Sequence, residues 1–389
     1  MIERLRIGIL TVLLVLLATT PLGAQRAQEL PPDAVKKIEN FVRQEQARMK
    51  IPGLSVAIAV DNKLMYSNGF GMADLEHSVP AKANTVYRTA SIAKSMTATA
   101  VMQLAEQGKI DLDAPIQKYC PAFPKKQWPI TARQLLGHLS GVRHYAKPGE
   151  ASGKEHYDTI AESLALFKDD PLLHEPGTKY NYTTYGYSIL GCAVEGASGM
   201  IYEDYMREHV FKPAGMNETR TDDYRLIIPN RSRGYLRLDE RSYSQLPDVV
   251  KRLAKVDGIY NAALHDTSMK VPGGGLVSTA EDLVRFALAI NSGALVKRDT
   301  LNHMWTKQKT KGGEETSYGL GWGVGETDDG YKFVSHSGGQ AGTSTLLVFI
   351  PEKGFAVGVM SNLQGASLMG IIQQIRNILS PSEKNSRSK

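Results

Sequence analysis

Strand-like segments stand at both ends of this 389-residue chain, and mostly helix-like sequence fills the space between them. Near the start, Val35, Ile38, Phe41, Val42 and Met49 fall at helical spacing behind Asp33, which is placed to cap. Leu54 to Val60 then alternates large and small apolar residues, as suits a strand with one bulky face and one face open to a close helix. Asp61-Asn62 is a turn signal, and Lys63 to Gly71 returns as a second strand. The other end mirrors this. Ser344–Ile350 and Phe355–Met360 are strands joined by Pro351-Glu352-Lys353-Gly354, and Leu368, Ile371, Ile372, Ile375, Ile378 and Leu379 form one helix face.

Both chain ends thus supply antiparallel strands and a covering helix, while the middle reads helical, and the economical architecture is a discontinuous domain built from both termini. The fold class is therefore α/β (α+β): a sheet built from N- and C-terminal segments and covered by helices, with an inserted mainly helical domain. The expected division is a leader at 1–24, α/β parts at 25–85 and 236–379, a helical insert at 86–235, and a polar tail at 380–389. The stretch from Tyr224 to Lys270 is polar and weakly periodic, and no element is assigned there.

Arg4 and Arg6 precede an apolar run from Ile7 to Ala18, which ends in Pro21-Leu22-Gly23-Ala24. That is the layout of an export signal, and about 12 apolar residues are too few for a stable membrane-spanning helix. The expected location is secreted or periplasmic, with membrane contact only if the segment stays uncleaved. The net charge is +6, and +5 once residues 1–24 are removed. The basic residues form no stripe with interleaved aromatics, so no nucleic-acid partner is expected. An oxidising compartment permits Cys120 and Cys192 to bridge, but the sequence equally allows two buried thiols.

Ser91-Ile92-Ala93-Lys94 carries the chemistry. A Ser-x-x-Lys alone is weak, since about one or two arise by chance in a chain this long. Here Ala93, Met96, Ala100, Val101 and Leu104 mark a buried helix face, and Gly108 is a natural stop. Ser91 then lies at the first turn, with Lys94 one turn later on the same face. A serine hydroxyl needs a base, and a lysine serves as one only when burial or a nearby cation lowers its pKa. A capping serine beside a solvated lysine fits the tetrad alone equally well. Two further blocks are Pro176-Gly177-Thr178-Lys179-Tyr180-Asn181-Tyr182-Thr183-Thr184-Tyr185-Gly186-Tyr187, where most tyrosines are expected to pack, and His336-Ser337-Gly338-Gly339 before the last hairpin.

With these blocks in this order the chain resembles the class C β-lactamase and D-alanyl-D-alanine carboxypeptidase superfamily of serine hydrolases. Leu135-Leu136-Gly137-His138-Leu139-Ser140-Gly141 and Pro272-Gly273-Gly274-Gly275-Leu276-Val277-Ser278-Thr279-Ala280-Glu281-Asp282-Leu283 also resemble family motifs. The resemblance implies a β-lactamase/transpeptidase-like fold, with Ser91 as nucleophile, Lys94 as general base and Tyr182 as the phenol that passes protons to the leaving group. It implies substrate contacts from Thr184, His336, Ser337, Gly338 and Gly339, with the Gly339 N–H as second oxyanion donor beside that of Ser91. Two positions depart from the pattern. Thr184 stands where an Asn is expected, and His336 stands where a Lys is expected. A neutral imidazole is a poorer partner for a substrate carboxylate than an ammonium.

The expected function is an exported serine hydrolase that works through an acyl-enzyme on an ester, D-amino peptide or lactam. The alternative is a weak or inactive relative that serves as a surface binding or self-assembling protein. No Gly-x-Ser-x-Gly elbow and no His or Cys ligand spacing occurs, so neither an α/β-hydrolase nor a metal enzyme is indicated, and no cofactor is expected.

Overall fold

The computed structural model describes residues 29–380 apart from 148, 149 and 154. The leader at 1–24 and residues 381–389 of the tail lie outside the described residues.

Helix α1 (Pro32–Met49) leads into β1 (Gly53–Val60) and β2 (Lys63–Asp74). Asp33 does not cap α1. Pro31 holds the cap position and Asp33 sits inside the first turn, where its charge still favours the helix dipole. Asp61 and Asn62 both take positive φ, 50° and 59°, as a two-residue type I′ hairpin turn demands. A short β3 (Val79–Pro80) edges this half of the sheet.

The sheet resumes at β4 (Gly323–Glu326), β5 (Lys332–Gln340), β6 (Thr343–Ile350) and β7 (Phe355–Ser361), and the chain closes with a last helix, Met369–Leu379. The seven strands are ordered β3-β2-β1-β7-β6-β5-β4. The termini join where β1 pairs antiparallel with β7, from Leu54 opposite Ser361 to Ala59 opposite Ala356.

Strand alternation then divides the core. Leu54, Val56 and Ile58 face Ile38, Val42, Ile371 and Ile375 of the two terminal helices. Ala57 and Ala59 face the other way, into a larger cluster with the helices of the central region. The division at 86 and 236 remains a proposal for the domain organisation; that buried cluster draws residues from both sides of each point, and the sheet itself resumes only at Gly323. Tyr224 to Lys270 forms a small hairpin, Tyr235–Arg237 with Ile259–Asn261, carrying two short helices in its loop.

Helix α2 (Ala93–Glu106) runs through the central region and is buried on every side from Ala93 to Leu104, not on one face as the spacing suggests. Its polar residues make this possible because each finds an acceptor. Ser95 donates to the Gly321 carbonyl at 2.7 Å and Thr97 to that of Pro272 at 2.6 Å. Helix α3 (Tyr185–Ser198) packs beside it, and the Cys192 that α3 carries is bridged to Cys120 with Cα atoms 5.3 Å apart.

Candidate active site

Ser91 lies in a single tight turn, Ala90–Ile92, that runs directly into α2. Ala90 before it is held at φ 45°, a region a residue with a Cβ rarely enters. One turn on, the Lys94 side chain is wholly buried. Its Nζ lies within hydrogen-bond distance of Ser91 Oγ at 3.0 Å, Thr184 Oγ1 at 3.1 Å and the Gly273 carbonyl at 2.5 Å. Burial holds this amine well below the usual lysine range, and the positive charge of Lys270 lowers it further.

Tyr182 and Thr184 arrive from the segment just before α3. The Tyr182 ring lies 5.0 Å from Lys94 Nζ and 4.2 Å from the His138 ring. Burial pushes the Tyr182 phenol far up, while a hydrogen bond with Ser91 works against the rise. Tyr182 therefore stays a neutral phenol, able to donate and to accept a hydrogen bond. Tyr185 and Tyr187 are fully buried packing residues, and the Tyr187 hydroxyl donates to the Leu136 carbonyl at 2.9 Å. His138 of the Leu-Leu-Gly-His block is enclosed by Tyr180, Tyr182, Tyr187 and Tyr318.

The third block lies within β5, and its pleat splits the four residues. Ser337 and Gly339 are exposed, whereas His336 and Gly338 face inward. The carbonyl of Ser337 accepts from His336 Nδ1 at 2.7 Å, so it points away from β6 toward the open edge, and Gly339 shares that direction by alternation. β4 pairs only with Lys332 to Ser335, so among the described residues no strand pairs with this edge from His336 onward. The Gly339 N–H is thus presented as a donor. His336 instead accepts from the Tyr318 hydroxyl at 2.8 Å, and burial drives its pKa down to about 3. It is a neutral buried imidazole.

These elements enclose a cleft of roughly 800 Å³, lined among others by Ser91, Thr184, Ser337, Gly338 and Gly339. The side chains of His144, Tyr145 and Lys270 also line it, and the sequence reading assigned none of them a role. Lys270 adjoins the Pro-Gly-Gly-Gly block, which was its one local signal; His144 and Tyr145 follow the His138 block with no pattern of their own.

Comparison with known proteins agrees with this architecture. The family model described as Beta-lactamase matches residues 38–377. The mouse "Serine beta-lactamase-like protein LACTB, mitochondrial" is 31% identical, over 89% of this chain and 79% of the mouse protein. "Penicillin-binding protein 4*" of Bacillus subtilis (strain 168) is 29% identical, over 76% of this chain and 64% of that protein. Among solved structures, the D-amino acid amidase from Ochrobactrum anthropi SV3 complexed with L-phenylalanine amide superposes with a TM-score of 0.74 at 25% identity. That match covers 92% of this chain and 100% of the amidase.

Proposed function

The chain belongs to the beta-lactamase family of serine hydrolases, and from that premise we propose that it cleaves ester or amide bonds through an acyl-enzyme on Ser91. The observation that carries this is the contact between Lys94 Nζ and Ser91 Oγ at 3.0 Å with the amine buried. Neutral Lys94 removes the Ser91 proton, and Oγ attacks the substrate carbonyl carbon. The backbone N–H groups of Ser91 and Gly339 hold the oxyanion. As the tetrahedral adduct collapses, the Lys94 ammonium returns its proton through the Tyr182 hydroxyl to the leaving oxygen or nitrogen. Water then attacks the acyl group, giving its proton back by the same route and releasing Ser91.

Within that chemistry we favour esters and flexible amides over β-lactams. His336 is neutral and turned inward, so the strand edge offers no cation to a lactam carboxylate. Thr184 Oγ1 lies 3.1 Å from Lys94 Nζ and lacks the paired donor and acceptor of an amide, and its backbone N–H donates to His144 Nδ1 at 3.2 Å. Turnover of p-nitrophenyl esters, D-amino acid amides and nitrocefin tests the ranking. Faster ester than nitrocefin turnover supports it, and the reverse order overturns it.

We further propose that the protein works outside the reducing cytoplasm. The basic and apolar leader and the Cys120–Cys192 bridge support this together. No described helix is long and apolar enough to cross a membrane. N-terminal sequencing of the exported protein is expected to start near residue 25; recovery of the full chain in the cytoplasm refutes the export reading.

A further inference from the structure

Lys270 is the one charged side chain among the described residues lining the cleft. It is only 3% exposed, yet no described carboxylate forms an ion pair with it. Among the described residues its single hydrogen bond is a long one, 3.4 Å from Nζ to the Ala151 carbonyl, and Nζ stands 5.7 Å from the centre of the Tyr145 ring. Asp222, the carboxylate that acts on it electrostatically, is already held by Arg88 at 2.7 Å and by Arg231 at 3.4 Å. A buried ammonium without a counter-charge is costly, so such a group is kept where something else completes the pair. Burial, with Arg88 nearby, brings it down to about 8, so it still carries its proton at neutral pH.

We propose that Lys270 anchors a carboxylate on the substrate, so that the preferred substrates are acyl compounds bearing a second, anionic group. The proposal rests on the hydrolase reading above and names its substrate class. The cation stands on the turn that also gives the Gly273 carbonyl to Lys94, not on the strand edge. A flexible acyl chain can bring its carboxylate to this wall, whereas a fused lactam fixes the distance between carboxylate and scissile bond.

The test compares two matched chromogenic esters, p-nitrophenyl butyrate and mono-p-nitrophenyl glutarate, by kcat/KM. The wild-type protein is expected to favour the glutarate roughly tenfold or more, the usual worth of a charge-assisted hydrogen bond. Lys270→Met is expected to bring the ratio to about one, and Lys270→Arg to keep it above one. Taking the ratio cancels any effect of the substitution on Lys94 common to both esters. A wild-type ratio of one or less overturns the proposal without any variant, and so does an unchanged ratio in Lys270→Met. Labelling with a fluorophosphonate separates the two failures. Folded protein unlabelled at Ser91 defeats the hydrolase reading itself, while labelled protein with a flat ratio defeats only the anchor.

Discussion

A Cβ on Gly338 would stand 2.4 Å from the carbonyl oxygen of Thr89, so β5 and the nucleophile turn meet backbone to backbone. The same Cβ would lie 2.4 Å from Thr345 Oγ1. Gly338→Ala is expected to cost about 1–3 kcal/mol and to slow acylation. A Cβ on Gly339 meets nothing within 4 Å, so Gly339→Ala should unfold within about 0.5 kcal/mol of wild type. Urea unfolding of the two variants checks the contrast, and equal stabilities contradict the close approach.

Lys94→Met should lose activity while gaining stability. Acylation is expected to fall by roughly 10²- to 10⁴-fold or more, since no other base touches Ser91 among the described residues. The folded-state pKa of Lys94 is depressed, so between that value and the ordinary lysine value the unfolded chain binds the extra proton. Stability of the wild-type protein therefore rises with pH across this window. Thermal unfolding at pH 7 and pH 9 should show a larger increment in the wild type than in the variant, where the depressed Lys270 alone still contributes one.

Tyr182→Phe keeps the ring on His138 and Lys94 and removes only the hydroxyl. A drop in kcat of roughly 10²- to 10⁴-fold with an unchanged fold is expected. Steady-state kinetics beside circular dichroism decide it. A variant within a fewfold of wild type would take Tyr182 out of the proton path.

Acid should unfold this protein early. His336 and His265 are pushed down to about 3 and His144 to about 4, and His138 lies well below its ordinary value, in each case chiefly by burial. The folded state refuses protons that the unfolded chain accepts below about pH 6.5, so stability is present above that pH and lost as pH falls. Each fully buried histidine contributes up to about 1.4 kcal/mol per pH unit over its window. Urea midpoints should decline steeply from pH 7 to pH 5, and a flat profile would show that these imidazoles protonate in place.

The sheet was legible because strand alternation and turn chemistry are local. Leu54 to Val60 and Phe355 to Met360 appear within a residue or two of their expected bounds. The full burial of α2 was not, because Ser95 and Thr97 read as a polar face until their acceptors on distant segments are known, while Thr99 turns back onto the Ser95 carbonyl of its own helix. At the site, Ser91 and Lys94 were legible from one helical turn of spacing. Lys270 was not: its place in the cleft depends on the single turn Val271–Gly274 bringing its segment against α2 and α3, a contact between residues far apart in the chain. The inward turn of His336 depended on the register of β5, which no motif states.

The central claim is tested most directly by trapping the acyl-enzyme. Wild-type protein mixed with a p-nitrophenyl ester and quenched in acid should gain the mass of one acyl group, and peptide mapping should place it on Ser91. Lys94→Ala under the same conditions should remain unmodified over the time in which the wild type saturates. An adduct on any other residue, or wild-type-like acylation of Ser91 in the Lys94→Ala protein, would contradict the account.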